Sequence, residues 1–102
     1  ELPAALQAME KALALLPNDG TIRTEAAQLY ARSGQPKRAA TLMAEALKLA
    51  PHNPQVQAAA IQYAFSIQDI ESARRQFAVF SIEFPEHSLR AQLVANWPAL
   101  TQ

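Results

Sequence analysis

The chain has 102 residues, of which 50% are hydrophobic, and its nine basic and nine acidic side chains leave no net charge. A chain of this size can bury one modest core, so we expect a single domain over residues 1–102. The balanced charge argues against nucleic acid as a partner, and the lack of a long apolar stretch argues against direct membrane insertion. The absence of cysteine excludes disulfides and thiolate zinc sites.

The prolines reveal an internal repeat, because Pro17, Pro51 and Pro85 recur with a constant period of about 34 residues. The apolar residues that precede Pro17 recur before Pro51 at the same offset, and their spacing of i, i+4, i+7 and i+8 is typical of a helix. The intervening segments also align, with alanine and large apolar residues at matching positions. Each period therefore contains two helices.

In chain order, the pattern predicts six helices, and the turns between them are short enough to favour antiparallel packing. The predicted ranges are 3–15, 21–33, 36–49, 54–67, 70–83 and 87–96. Gly34 is expected to end the second helix, and Pro36 suits the first turn of the third. Asn53 and Asp69 are expected to cap helices by accepting hydrogen bonds from free backbone amides. These features predict an all-α fold, an α-solenoid of antiparallel helix pairs.

One period carries a specific set of small, aromatic, glycine and proline residues. Within residues 20–53 these are Ala27, Tyr30, Gly34, Ala39, Met43, Ala46 and Pro51. The set resembles the tetratricopeptide repeat (TPR), although Arg23 stands where this family often has Trp. Residues 54–87 resemble a degenerate copy of the same repeat. The resemblance implies a TPR-like fold of about six helices, cut from a longer array.

The two ends of the chain resemble incomplete repeats. Residues 1–19 match only the second helix of a truncated repeat, so we expect the N-terminal helix to self-associate weakly through its uncovered apolar surface. Residues 88–102 match a C-terminal capping helix, which we expect to pack inward through Val94 and Trp97 and to stop at Pro98.

The resemblance also implies how the chain acts. In this family the first helix of each pair lines a concave groove that holds an extended segment or a partner protein. The residues here that would line it include Thr21, Thr24, Gln28, Arg32, Gln55, Gln62, Phe65 and Gln92. Amides and hydroxyls suit hydrogen bonds to an extended backbone, Phe65 offers an apolar contact, and Arg32 offers a fork for an acidic group.

The sequence contains no pattern that indicates catalysis, a cofactor or a metal. His52 and His87 would lie about one repeat apart, which does not suggest a metal site. The only two glycines, Gly20 and Gly34, leave no Gly-rich phosphate loop, and no Ser, His and acid arrangement indicates an activated nucleophile. We therefore expect neither enzyme activity nor a cofactor.

The leading hypothesis is a non-catalytic protein–protein interaction module of a longer TPR scaffold. Its amino-acid composition, rich in alanine and glutamine and free of cysteine, resembles that of bacterial members of the family. This resemblance suggests a role in an envelope, secretion, pilus or polysaccharide-export assembly. One alternative is a structural spacer or oligomerisation element. An RNA-binding helical repeat is a less favoured alternative, because the neutral charge and the constant period of the repeat argue against it.

Overall fold

A computed structural model describes residues 2–101 of the chain and the side chains of residues 3–101. This part of the chain forms six α-helices and one short 3₁₀ helix, which confirms the predicted all-α, TPR-like fold. The elements are α1 (Leu2–Leu15), α2 (Gly20–Arg32), α3 (Pro36–Leu49), α4 (Pro54–Ser66), α5 (Ile70–Glu83), α6 (Ser88–Asn96) and the 3₁₀ helix η1 (Pro98–Thr101).

The helix bounds repeat at the interval that the prolines predict. α1, α3 and α5 each have 14 residues and begin one period apart, and α2 and α4 each have 13 residues with the same offset. α6 begins in register but has only nine residues. Its early end is due to Pro98, which disfavours a helical conformation at Trp97, and Trp97 accordingly adopts φ −135° and ψ 78°. The sequence does not predict η1.

The first helix of each repeat begins at an equivalent capping residue. Asp19, Asn53 and His87 stand one period apart, and each side chain accepts a hydrogen bond from a backbone amide two or three residues ahead. These bonds satisfy donors that have no partner within the helix. The caps predicted at Asn53 and, before α5, at Asp69 are confirmed, and His87 is a further cap that the sequence does not predict.

The turns that follow α2 and α4 share one conformation. Gly34 and Gln68, which occupy the same repeat position, both have positive φ, at 83° and 63°. In each turn this residue donates its N–H to the carbonyl three residues back, and the next residue donates to the carbonyl five residues back. These are the two bonds of a Schellman motif, which favours glycine at this position. Gln68 therefore holds a left-handed conformation at a cost that Gly34 avoids.

We expect Gln68→Gly to raise the free energy of unfolding by about 0.5–1 kcal/mol, because it removes the left-handed strain and costs only backbone entropy. Gly34→Gln should lower the free energy of unfolding by about 1 kcal/mol. A Cβ at this position meets no atom within 4 Å, so the whole cost comes from the left-handed backbone conformation. Urea denaturation measures both. Gln35→Gly is the matched control, because Gln35 has φ −118°, where glycine brings no gain. A loss of stability in Gln68→Gly would contradict the prediction.

The helices group into two compact units, residues 1–51 and residues 52–102, and each is described by itself. In the first unit α2 packs on both α1 and α3. Ala27, Ala39 and Ala46 are fully buried, which lets the helix axes approach to about 8–10 Å. Leu42 and Met43 fill the space beside these small residues.

A polar cluster joins all three helices of the first unit. The hydroxyl of Tyr30 on α2 donates a hydrogen bond to the carboxylate of Glu10 on α1. Arg38 on α3 lies with its guanidinium 3.7 Å from that carboxylate and 5.6 Å from the centre of the Tyr30 ring. The hydrogen bond to Glu10 raises the pKa of Tyr30 above its ordinary value, burial and the charge of Glu10 act in the same direction, and Arg38 partly offsets them.

This cluster predicts a loss of stability at alkaline pH. Below pH about 10 the phenol of Tyr30 keeps its proton in both the folded and the unfolded chain, so its stabilisation is fully present. As the pH rises further the unfolded chain ionises first, and stability falls until the folded phenol ionises as well. Tyr30→Phe should reduce the dependence of the free energy of unfolding on pH. Glu10→Gln should reduce it too, because the carboxylate is the main cause of the raised pKa of Tyr30. Urea denaturation between about pH 8 and pH 12 measures the slope, and an unchanged slope in Tyr30→Phe would contradict the assignment.

The core of the second unit lies among α4, α5, α6 and η1. Its buried members are Ala58, Ile61, Ala64, Ala73, Phe77, Phe80, Leu93 and Leu100. Val94 and Trp97 pack against this core as expected, but both are only half-buried. Leu93 and Leu100 are the residues of the C-terminal segment that enter the core, and the sequence does not single them out. The position of Leu100 follows from η1, which turns the chain back after Pro98.

Candidate partner-binding surface

α4 is buried on every side except one. Its buried residues are Val56, Gln57, Ala58, Ala60, Ile61, Tyr63 and Ala64. Its exposed residues are Gln55, Gln62 and Ser66, and with half-buried Ala59 they form what we call the α4 stripe; Pro54 and Phe65 are half-buried as well. The spacing of the four stripe residues, i, i+4, i+7 and i+11, places them in one narrow row along the helix. The stripe is therefore where α4 can contact a partner.

α2 carries an equivalent row in the first unit. Thr21, Glu25 and Arg32 are exposed and Gln28 is half-buried, and we call these four residues the α2 stripe. They lie one period before the four members of the α4 stripe. Three of them, Thr21, Gln28 and Arg32, are residues that the sequence predicts as partner contacts.

Thr24 departs from the expectation that it reaches a binding groove. Its side chain is only 4% exposed, and its hydroxyl donates to the carbonyl of Thr21 at 2.7 Å. At about 100° per residue, Thr24 points about 60° to one side of Thr21, towards the packed flank of α2. Glu25, the next residue, takes the place in the stripe. We therefore leave Thr24 out of the binding surface.

Phe65 lies on the flank of the α4 stripe and is not a free apolar anchor. It is half-buried, and its ring stacks on the indole of Trp97 with the two ring centres 5.1 Å apart and an angle of 8° between the planes. Such a stack adds about 0.5–1.5 kcal/mol beyond the area that it buries. The pair fixes the end of α6 against α4, and both residues keep part of their surface exposed. Phe65 lies about 60° around the helix from Gln62, on the flank of the stripe.

α6 contributes Gln92 and Asn96, both exposed, to the surface of the second unit. α6 packs on α4, so amides from two neighbouring first helices reach the surface of the same unit. Asn96 lies one period after Gln62, and Gln62 lies one period after Gln28. A carboxamide therefore recurs at one position of all three periods.

Two further polar networks lie at the repeat position where the family often has Trp. Arg23 and Gln57 share this repeat position, and each reaches the second helix of its own pair. Arg23 contacts Glu45 at 3.2 Å, and Gln57 donates to Glu83 at 3.1 Å. His52 also contacts Glu83, at 2.8 Å, and this hydrogen bond is the main reason that the pKa of Glu83 lies below its ordinary value, with burial partly opposing it. Both networks connect helices and are structural.

Neither a cluster of metal ligands nor a helix able to cross a membrane occurs in the part of the chain that the structure describes. Within residues 2–101 no three His, Cys, Asp or Glu side chains come together as metal ligands. In the same part of the chain no helix has the length and apolar character needed to cross a membrane. The charged residues of α3 and α5 are exposed, and Glu71 and Arg75 form an i, i+4 pair at 3.3 Å.

Comparison with known proteins identifies the repeat. A family model described as tetratricopeptide repeat matches the chain twice, over residues 1–60 and over residues 31–96. A search of curated proteins and a search of solved structures each gave no match to the chain.

Proposed function

Because the chain belongs to the tetratricopeptide repeat family, we propose that it is a non-catalytic module that holds an extended segment of a partner protein on its first helices. Repeats of this family generally serve as scaffolds for protein–protein interaction. In the first unit the contacts would come from Thr21, Gln28 and Arg32 on the α2 stripe. In the second unit they would come from Gln55 and Gln62 on α4, with Gln92 on α6 and the border formed by Phe65.

The exposure of the stripes is the observation that supports this proposal. Seven of the thirteen residues of α4 are buried, yet Gln55 and Gln62 keep their amides in water. A carboxamide both donates and accepts, so it can bond the N–H and C=O groups that alternate along an extended backbone. Arg32 adds a planar fork that suits a carboxylate.

The proposal extends to the arrangement of the repeats and to their setting. We take residues 20–53 and 54–87 as the two complete repeats, flanked by partial repeats over 1–19 and 88–102. The cysteine-free, alanine- and glutamine-rich composition supports a scaffold in a bacterial envelope, secretion, pilus or polysaccharide-export assembly.

A selection from a peptide library against the immobilised chain tests the proposed surface. We expect Gln28→Ala and Gln62→Ala each to weaken the selected peptides about three- to tenfold, the usual effect of losing one or two hydrogen bonds. Lys48→Ala is the control, because Lys48 is exposed on α3 and outside both stripes. Failure to select any peptide, or peptides that bind both glutamine variants as tightly as the unchanged chain, would overturn the proposal.

Self-association through the N-terminal helix is a second candidate, and the end of α1 supports it. Leu15 and Leu16 are 79% and 50% exposed there. We expect sedimentation to show a mass that rises with concentration, and Leu15→Ser to reduce that rise because it removes an exposed apolar contact. Leu49→Ser is the matched control at the same repeat position of α3. A constant monomer mass at every concentration would refute the prediction.

A further inference from the structure

We infer that the α4–α6 surface of the second unit is specific for an uncharged, extended polypeptide segment, which it holds by backbone hydrogen bonds with one apolar side chain against Phe65 and Trp97. This inference rests on the proposed function and names the class of partner that the second unit takes. It concerns the α4 stripe, the exposed amides of α6 and the ring pair that borders them.

Charge is segregated within the second unit. α4 carries no Asp, Glu, Lys or Arg over its whole length, Pro54–Ser66. The exposed residues of α6 are also neutral, namely Ser88, Ala91, Gln92, Ala95 and Asn96. The acidic and basic residues of this unit other than Arg90 lie on α5 or in the turns, namely Asp69, Glu71, Arg74, Arg75, Glu83 and Glu86. The first helices of the unit thus present a neutral surface, while its second helix carries the charge.

Arg90 is the single basic residue of α6, and its side chain is already engaged. It is half-buried, with Nε donating to the hydroxyl of Ser81 at 3.1 Å and the guanidinium 5.2 Å from the centre of the Phe77 ring. Both partners lie on α5, so Arg90 ties α6 to α5. Its side chain is therefore held against α5.

The absence of charge matters because a bound peptide would cover these positions. Covering a charged side chain without an ionic partner costs several kcal/mol, whereas a carboxamide that exchanges water for a backbone N–H or C=O loses little. Gln55, Gln62 and Gln92 can make that exchange. A peptide with Asp, Glu, Lys or Arg facing this surface would bury its own charge against amides and methyl groups.

The first unit provides an internal contrast. The α2 stripe has the same four positions, but Glu25 and Arg32 give it one charge of each sign. The corresponding residues of the α4 stripe are Ala59 and Ser66. Two surfaces that share one geometry thus differ in charge, and we expect them to select different segments.

The ring pair and the length of the stripe complete the description of the ligand. The stacked, half-buried rings of Phe65 and Trp97 offer an apolar contact on the flank of the stripe, which suits a proline or an aliphatic side chain. From Gln55 to Ser66 the helix rises about 16 Å, which equals about five residues of extended chain. Trp97 is the only tryptophan of the protein, so its fluorescence reports on ligands bound beside it.

The test uses the whole chain and three pools of synthetic peptides of about ten residues, one with no ionisable side chain, one acidic and one basic. We expect the neutral pool to change Trp97 fluorescence and to bind with an affinity that varies by less than about twofold between about 50 mM and 500 mM salt. Binding through charge would instead weaken many-fold over that range.

Matched variants locate the binding. Gln62→Glu and Gln92→Glu keep the size of the side chain and add a charge, and each should weaken neutral peptides about tenfold or more. Ala78→Glu adds the same charge at an exposed site on α5 and should leave the affinity unchanged. Circular dichroism confirms that the variants remain folded.

The outcomes separate this inference from the function on which it rests. Neutral peptides that bind and respond to Gln62→Glu but not to Ala78→Glu support both. Charged peptides that bind through the α2 stripe while no neutral peptide perturbs Trp97 would overturn the inference and leave the proposed function standing. The absence of binding in all three pools would overturn both.

Discussion

The close packing of helices against residues without bulk is the constraint on which the rest of the structure depends. In the first unit Ala27, Ala39 and Ala46 have no exposed area, so the ridges of neighbouring helices can enter the spaces that these small residues leave. In the second unit Ala64 and Ala73 are buried in the same way. Because neighbouring helices cover most of α2 and α4, the exposed residues of each of these two helices lie in a single row, and that row is where a partner can be recognised.

The turns maintain this packing by satisfying the helix ends. The side chains of Asp19, Asn53 and His87 accept from free amides at the starts of the first helices, and the Schellman motifs at Gly34 and Gln68 satisfy carbonyls at their ends. Three different side chains perform the same capping task, because what the position requires is an acceptor atom at the right distance. The degenerate repeat keeps the turn geometry even where it has lost glycine, since two backbone hydrogen bonds hold Gln68 in place.

The distribution of charged residues differs between the helices, and this difference separates hydration of the surface from recognition of a partner. The charged residues of α3 and α5 are all exposed, where they keep the protein hydrated and form local pairs of small energy. α4 carries none, so its surface has no ionic group to attract or repel a ligand from a distance. Recognition at such a surface depends on hydrogen-bond complementarity and on shape, which are short-range and weakly affected by salt.

The sequence alone determined the number, order and period of the six α-helices, because Pro17, Pro51 and Pro85 and the apolar spacing between them are local signals. It also determined the caps at Asn53 and Asp69, whose hydrogen bonds span only two or three residues. Only the tertiary structure decided which side chains near the stripes are accessible. Thr24 and Phe65 lie on the flanks of their helices, rotated by about 60–80° from the first residue of the stripe on the same helix. Whether such a flank is covered depends on the neighbouring helices. Helical periodicity gives the direction of a side chain, but burial depends on residues distant in sequence, such as Trp97 for Phe65.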